Sequence, residues 1–169
     1  VQKGRCIRSY QHSYSVRAVA VSSDGKTIAS GSTCGLVRIW STASGACLHT
    51  CFDEYLNSGY VSSLAFSPDG STVLAGYCNA SEKSKLWSVE SGSCLSTWPA
   101  FGRVLSVAFS PDGKTVVFGN TTGGLHLGSV ESSTLREFAE HHLTVFTVSF
   151  SPNGKIILSG SADATIKLW

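Results

Sequence analysis

Three side chains near the end of the chain are of the types that hydrolases use for acyl transfer. A serine hydroxyl that is activated by a histidine, which an aspartate orients, can attack a carbonyl carbon. His141, Ser159 and Asp163 could supply these groups. We interpret them as structural, because Ser159 falls in a predicted strand and not on the exposed turn that such a nucleophile needs. The chain is predicted not to be an enzyme and to have no catalytic residue.

The six cysteines could form disulfides or bind zinc. No C-x-x-C pair occurs, and Cys47 and Cys51 have no second pair to complete a zinc site. Cys6, Cys47 and Cys94 recur in one sequence context, which favours small core residues. The five histidines show no ligand spacing, so we expect neither metal nor cofactor. Free thiols and a first segment, 1–10, without an apolar stretch predict an intracellular protein, cytoplasmic or nuclear.

The composition limits the classes of partner. Of the 169 residues, 42% are hydrophobic and 14% charged, which excludes a disordered chain. No apolar run approaches the roughly 18 residues of a membrane helix, so no membrane partner is expected. The net charge is +2, but six cations and one anion fall in residues 1–38. The cations are Lys3, Arg5, Arg8, Arg17, Lys26 and Arg38. Binding of nucleic acid or acidic lipid through this basic N-terminal third is therefore the alternative function.

One short sequence recurs along the chain. FSPDG occurs at 66–70 and 109–113, FSPNG at 150–154, and the degenerate VSSDG at 21–25. Successive copies are 45, 43 and 41 residues apart. A tryptophan closes three of the four units, and a Gly-x-Cys-Leu motif follows the same period. A period of this length predicts a repeat architecture.

Each unit is predicted to hold four short strands. In the last unit the segments 145–150, 156–161 and 165–169 are rich in Val, Ile, Phe and Thr, and turn residues separate them. No stretch shows a 3.6-residue apolar period, so the class is all-β. A lone four-stranded sheet cannot bury both of its faces, and each unit is therefore expected to stack on its neighbours.

The sequence resembles the WD40 repeat family across nearly its whole length. The pattern Val-x-x-Val-x-Phe-Ser-Pro-Asp-Gly-x-x-Leu-x-Ser-Gly-Ser-x-Asp-x-x-Ile-x-Leu-Trp is matched in four copies. The resemblance implies one domain, 1–169, forming a β-propeller of four four-stranded antiparallel blades. The expected segments are a leading fourth strand at 5–10 and blades at 16–51, 61–98, 104–138 and 145–169.

How the blades close is left open by the sequence. The resemblance suggests seven or eight blades, so the chain is a piece of a longer propeller, half of an eight-bladed ring of two copies, or a closed four-bladed ring. Closure would pair the strand at 5–10 with the strand ending at Trp169 and so remove an exposed edge. An open arc would expose an apolar blade face, and such faces drive self-association.

The resemblance also implies a hydrogen-bonded His–Ser–Asp–Trp tetrad that pins each blade. The fourth repeat has a residue for every place: His141, Ser159, Asp163 and Trp169. The first keeps three, with Cys34 in the Asp place: His12, Ser30 and Trp40. The others depart further, with Asn57 and Ala75 in the second repeat and Ala100, Phe118, Thr122 and Gly128 in the third. We therefore expect the fourth blade to be held most firmly.

By resemblance, the function is that of a non-catalytic scaffold that presents protein or peptide partners at the mouth of a propeller. In the family, residues beside the first valine of each inner strand often line that mouth. The candidate partner-binding residues are Tyr14, Arg17, Thr33, Tyr60, Arg103 and Phe146. Arginine and aromatic residues dominate interfaces, and two arginines at one mouth suit an acidic or phosphorylated peptide.

Overall fold

The computed structural model describes residues 4–52, 59–78, 83–99 and 102–169. The predicted positions Asn57 and Ala100 lie outside these ranges. The described chain forms fifteen strands and no helix. They build four antiparallel sheets of consecutive strands, called sheet 1 to sheet 4 in chain order. The all-β propeller class predicted from the repeat is confirmed by these sheets.

The strands follow the repeat closely. Sheet 1 contains β1 (Val16–Val21), β2 (Thr27–Ser32), β3 (Val37–Ser41) and β4 (Cys47–Cys51). Sheet 2 contains β5 (Tyr60–Phe66), β6 (Thr72–Cys78), β7 (Lys83–Ser88) and β8 (Cys94–Pro99). Sheet 3 contains β9 (Val104–Phe109), β10 (Thr115–Asn120), β11 (Gly124–Ser129) and β12 (Leu135–Glu140). Sheet 4 contains β13 (Val145–Phe150), β14 (Ile157–Ser161) and β15 (Ile166–Leu168).

The recurring five-residue sequence forms the first hairpin turn of each sheet. In sheet 1 the Ser22 hydroxyl donates to Asp24 Oδ1 at 2.7 Å, and the Gly25 amide donates to the Ser22 carbonyl at 2.9 Å. Gly25 has φ +70°, a conformation that favours glycine. The same serine bonds close the turns of the other sheets, at Ser67, Ser110 and Ser151. These turns fix where β1, β5, β9 and β13 end.

Neighbouring sheets pack through a valine and a glycine that occupy the same places in each repeat. A Cβ added to Gly31 of β2 would overlap the side chain of Val61 in β5. A Cβ on Gly76 would lie 2.8 Å from Val104, and one on Gly119 would lie 2.7 Å from Val145. Each of these glycines is thus a seat for the first valine of the next inner strand. The three valines are fully buried as a result.

The described sheets form an open arc. The inner strands pack β1 on β5, β5 on β9 and β9 on β13, and an extensive contact between β1 and β13 is not found among the described residues. Sheet 4 has three strands, and residues 5–10 form no strand. The predicted clasp between 5–10 and the strand ending at Trp169 is therefore not formed in this structure.

Residues 5–10 pack on sheet 1 instead, which explains the difference. Arg8 donates to the Ala43 carbonyl at 3.0 Å, and the Tyr10 ring lies 5.4 Å from the Trp40 ring. In the same way β4 reaches sheet 2, where His49 Nε2 lies 2.9 Å from the Glu90 carbonyl. The segment thus occupies the place that the outer strand of a preceding sheet would take.

The expectation for the recurring cysteines was wrong. Cys6, Cys47 and Cys94 are exposed, not core residues. Each begins an outer segment that faces solvent, and each thiol lies 3.4 to 3.5 Å from the carbonyl oxygen two residues further on. Cys51, at the end of β4, is buried, and burial raises the pKa of its thiol to about 12. All six cysteines are unpaired.

Sheet 3 lacks the tryptophan of the repeat, and its neighbour fills the space. A residue of the outer segment packs on the tryptophan of the following sheet in two places, where Tyr10 contacts Trp40 and Phe138 contacts Trp169. In sheet 3 the tryptophan place is Gly128, and a Cβ there would lie 3.1 Å from Trp98 Nε1. Trp98 of β8 is fully buried and packs 5.7 Å from the Phe118 ring.

We expect Trp98→Ala to lower the free energy of unfolding by about 3–5 kcal/mol, because it leaves a cavity between two sheets. Urea unfolding followed by circular dichroism measures the change. Leu95→Ala is the matched control in the same strand, since Leu95 is exposed and should cost less than about 0.5 kcal/mol. Equal losses in the two variants would show that Trp98 does not fill the missing place.

Candidate functional site

The inner strands place one set of side chains at a common edge of the arc. In β1, β5 and β13 the strand register shifts directly after the first valine, at Arg17, Ser62 and Phe146. Irregularities of this kind redirect a side chain away from the regular alternation of a strand. The Thr33 amide donates to the Ser15 carbonyl at 2.9 Å, and the Thr121 amide donates to the Arg103 carbonyl at the same distance. These bonds fix the loop before each inner strand against the second turn of its own sheet. We call this edge the mouth.

Three of the predicted residues come together at the mouth. The Arg17 guanidinium lies over the Tyr60 ring, 4.3 Å from its centre. A hydrogen bond with Cys78 and partial burial raise the pKa of the Tyr60 hydroxyl, while the charges of Arg17 and Arg103 act to lower it. Arg17 thus contacts the ring directly, and Arg103 acts on the same hydroxyl through its charge. We call Arg17, Tyr60 and Arg103 the Arg–Tyr cluster.

The other predicted residues lie outside this cluster. Tyr14 and Thr33 are exposed on adjacent loops of sheet 1. Phe146 is exposed as well, but it lies in sheet 4 and sheet 3 separates it from Tyr60. Among the described residues, no carboxylate forms an ion pair with Arg17 or Arg103. The cluster therefore presents two positive charges beside an aromatic ring.

Sheet 4 assembles the four predicted tetrad residues. His141 Nδ1 lies 2.9 Å from Asp163 Oδ2, and Nε2 lies 2.7 Å from Ser159 Oγ. The Trp169 indole donates to the same hydroxyl oxygen at 2.9 Å. Every group is satisfied when Ser159 donates to Nε2 and Nδ1–H donates to Asp163. Ser159 is fully buried and both its hydrogen-bonding roles are used, so it is not placed to attack a substrate.

Asp163 receives several further hydrogen bonds in its turn. The Thr165 hydroxyl donates to Oδ1 at 2.6 Å, and the His142 amide donates to Oδ2 at 3.2 Å. These bonds hold the pKa of Asp163 well below its ordinary value. The hydrogen bond from the Thr165 hydroxyl is the largest cause, and the hydrogen bond from His141 is the next cause that lowers the pKa. Its carboxylate form is therefore the form that stabilises the fold.

Sheet 1 contains the incomplete version of this network. His12 Nε2 and the Trp40 indole nitrogen each lie 2.7 Å from Ser30 Oγ. Cys34 occupies the Asp place, and its thiol contacts the Ser32 hydroxyl at 3.1 Å. His12 Nδ1 is buried and has no hydrogen-bond partner within the part of the chain that the structure describes. Burial, and then the charge of Arg38, lowers the pKa of His12.

Sheet 2 replaces a tetrad residue in a way that the sequence analysis missed. Ala75 stands in the serine place, and the Trp87 indole donates to the Tyr77 hydroxyl at 3.2 Å instead. Tyr77 lies two residues beyond Ala75, in the same strand and on the same face. A tyrosine two places after the missing serine is the signal that could have predicted this bond.

The described residues contain no group of three or more His, Cys, Asp or Glu side chains that could hold a metal ion. Within the same ranges, no helix has the length and apolar character needed to cross a membrane.

Four stretches match the family model described as "WD domain, G-beta repeat". They are residues 4–41, 45–88, 92–125 and 132–169, which together span nearly the whole chain. The chain belongs to the WD40 repeat family. The family predicted from the repeated residues is thus confirmed.

Several curated WD40 relatives are similar to parts of the chain. "Periodic tryptophan protein 2 homolog" of Dictyostelium discoideum is 44% identical over 62 residues, covering 37% of this chain and 6% of that protein. Human "Apoptotic protease-activating factor 1" is 33% identical over 93 residues, covering 51% and 7%. "Small ribosomal subunit protein RACK1" of Medicago sativa is 37% identical over 86 residues, covering 50% and 24%. The matched part is at most about a quarter of these relatives' length.

One solved structure has nearly the same extent as this WD40 chain. The crystal structure of the computationally designed Ika4 protein superposes with a TM-score of 0.83 and 25% sequence identity. The match covers 99% of this chain and 98% of the designed one. The arrangement of four sheets is thus also found in an experimentally determined structure.

The tetrad predicts a loss of stability in acid. Folding lowers the pKa of Asp163, so its carboxylate adds to the free energy of unfolding above about pH 4, the ordinary pKa. This stabilisation is lost as the pH falls below that value. Asp163→Asn should be less stable than the wild type at pH 7, and the difference should shrink towards pH 2. Urea unfolding at pH 7, 4 and 2.5 measures it. A difference that does not change with pH would contradict the prediction.

The incomplete network of sheet 1 predicts a stabilising substitution. Cys34→Asp supplies the carboxylate that His12 Nδ1 lacks, and we expect a gain of about 1–2 kcal/mol at pH 7. Urea unfolding measures the gain. The same substitution in a His12→Ala background is the control, because the gain should vanish without the imidazole. A gain that persists in that background would show another cause.

Proposed function

We propose that this WD40 chain is a non-catalytic scaffold that binds a protein or peptide partner at its mouth through the Arg–Tyr cluster. The observation that carries the proposal is the packing of Arg17 on Tyr60, with the charge of Arg103 acting on the same hydroxyl. WD40 repeat proteins commonly act as interaction scaffolds, and loops held on a rigid sheet framework are common sites of binding.

The chemistry of the cluster favours an acidic partner. A guanidinium presents several N–H donors in a plane and binds carboxylate or phosphate in a bidentate manner. Stacking on Tyr60 restrains the Arg17 side chain, so less conformational entropy is lost on binding. Tyr14 in the loop before β1 and Phe146 of β13 are exposed and offer apolar surface to a ligand. The proposed ligand is therefore an acidic or phosphorylated peptide with a flanking apolar residue.

The basic N-terminal third supports nucleic-acid or lipid binding less well. Arg8 is engaged by the Ala43 carbonyl and Arg38 by the Gln11 carbonyl. Lys26 lies in the hairpin turn beside Asp24, at the opposite end of β1 from Arg17. These cations are spread over separate parts of sheet 1, whereas binding to a phosphate backbone needs a continuous basic surface.

The arrangement of the remaining polar groups also supports a binding role in preference to catalysis. The His–Ser–Asp combination of sheet 4 is buried and its hydrogen bonds are used within the sheet. The unpaired thiols are typical of a reducing compartment, so we place the scaffold in the cytoplasm or nucleus.

An array of synthetic peptides tests the proposal. It should contain matched sets of acidic, phosphorylated, neutral and basic peptides. We expect acidic or phosphorylated members to bind, and the double change Arg17→Ala with Arg103→Ala to weaken them by at least about tenfold, as two charge-assisted hydrogen bonds are lost. Binding should also weaken as NaCl is raised.

Lys26→Ala is the matched control, because it removes one exposed cation at the far end of β1. It should leave peptide binding within about twofold of the wild type. Equal binding by the wild type and the double variant would show that the Arg–Tyr cluster does not bind the peptide. Binding to basic peptides alone would show that the ligand is not acidic.

A further inference from the structure

One buried tryptophan differs from the others in its hydrogen bonding. Trp40, Trp87 and Trp169 each donate their indole N–H group to a hydroxyl of their own sheet. Trp98 is fully buried, yet its Nε1 atom has no hydrogen-bond partner within the described ranges of the chain. Because a buried indole N–H group usually has an acceptor, the surroundings of Trp98 should show what takes that role.

A second polar group without a partner lies opposite Trp98. Ser84 of β7 pairs with Trp98 of β8, as Val37 pairs with Cys51 in sheet 1. The places equivalent to Ser84 in sheets 1 and 3 hold fully buried apolar residues, Val37 and Leu125. Ser84 is 1% exposed, and its hydroxyl has no hydrogen-bond partner among the residues that the structure describes. Two buried donors without an acceptor, on paired residues, would destabilise the fold.

A small cavity between sheets 2 and 3 is lined by both residues. Its volume is about 10 Å³, at the lower limit of roughly 10–15 Å³ that one water molecule needs. Val104 and Phe118 also line it, so the cavity lies beside the start of β9. Apolar cavities of proteins stay dry, whereas a water molecule occupies a cavity that offers it polar partners.

His126 of β11 lines the same cavity as a third polar residue. Burial lowers the pKa of its ring, and the opposing charge of Glu137 acts to raise it. The ring is therefore neutral near pH 7, and a neutral imidazole has one donor and one acceptor nitrogen. The cavity thus combines two donors, on Trp98 and Ser84, with a ring that contains an acceptor nitrogen.

From these observations we propose that one water molecule binds in this cavity and bridges sheets 2 and 3. Its oxygen has two lone pairs, which accept from the Trp98 indole and the Ser84 hydroxyl, and one of its protons points to the His126 ring. Phe118 occupies the serine place of sheet 3, so no tetrad hydroxyl is available to Trp98. The water takes the role that a side-chain hydroxyl has for the other three tryptophans. The proposal does not depend on the peptide-binding function.

A high-resolution crystal structure of the chain tests the site directly. We expect one water peak at about 2.7–3.2 Å from both Trp98 Nε1 and Ser84 Oγ. A well-ordered cavity without a peak would overturn the proposal. A direct hydrogen bond between the Trp98 indole and the Ser84 hydroxyl would overturn it as well.

The substitution Ser84→Val tests the site in solution. Valine is the residue that sheet 1 has in this place, and its larger side chain should displace the water and leave the Trp98 N–H group unpaired. We expect the unfolding equilibrium constant, measured by urea unfolding, to rise at least about fivefold. In a dry cavity the added methyl group would fill space and remove an unpaired hydroxyl. A variant more stable than the wild type would therefore contradict the proposal.

The same substitution in a Trp98→Phe background is the control for crowding. Phenylalanine keeps an aromatic ring but has no N–H group to leave unpaired. Ser84→Val should therefore raise the unfolding equilibrium constant by less than about twofold in this background. An equal rise in both backgrounds would show that the loss comes from the size of valine, against the proposal.

Oxygen-17 relaxation dispersion counts long-lived buried waters in solution. The count should fall by one in Ser84→Val relative to the wild type. Thr97→Val is the matched control, because Thr97 is exposed in β8 beside Trp98 and does not line the cavity. This control should keep the wild-type count. An unchanged count in Ser84→Val would show that no water had been displaced and would rule out the site.

Discussion

Each sheet of this WD40 chain is apolar on both faces, and strands of its own unit cannot cover either face. The sheets are therefore held by one repeated contact, in which a valine of the inner strand seats on a glycine of the preceding sheet. Val61, Val104 and Val145 make this contact and are fully buried. The contact brings the backbones close, and it sets how each inner strand presents its first residues at the mouth. The Arg–Tyr cluster depends on it, since its members come from three successive sheets.

Around this contact the tetrad is variable, and other residues take over where its members are missing. Sheet 4 has the complete network, whereas in sheet 2 the Tyr77 hydroxyl replaces a serine. In sheet 3 the missing tryptophan is replaced by Trp98 of the neighbouring sheet, so packing takes the place of a hydrogen bond. The sheets have the same backbone fold because neighbouring sheets cover their apolar faces. The polar network adds stabilisation that differs from sheet to sheet.

The sequence predicted the features that depend on spacing within one repeat. The hairpin turns and the tetrad of sheet 4 lie within a single unit, so matching positions was sufficient to find them. The packing contact between Trp98 and Gly128 was missed because it joins two units. Aligned repeats show which residues occupy equivalent places, but not which places of neighbouring units touch. The cysteines were assigned to the core because they recur, yet recurrence does not distinguish a buried place from an exposed one. The aligned repeats predicted Arg17 and Tyr60 at the same mouth, but the stacking of the two side chains depends on how neighbouring sheets pack and was not predicted.

The valine–glycine seat has a consequence for how such chains change in length. Every unit brings one valine towards the unit before it and one glycine towards the unit after it. Duplicating or deleting a whole unit in frame therefore creates a junction of the same kind as those already present, with no new surface to be optimised. Each inner strand can then vary the residue beside its valine independently. Duplication of units can thus lengthen the array first, and substitutions can change the ligand-facing positions afterwards.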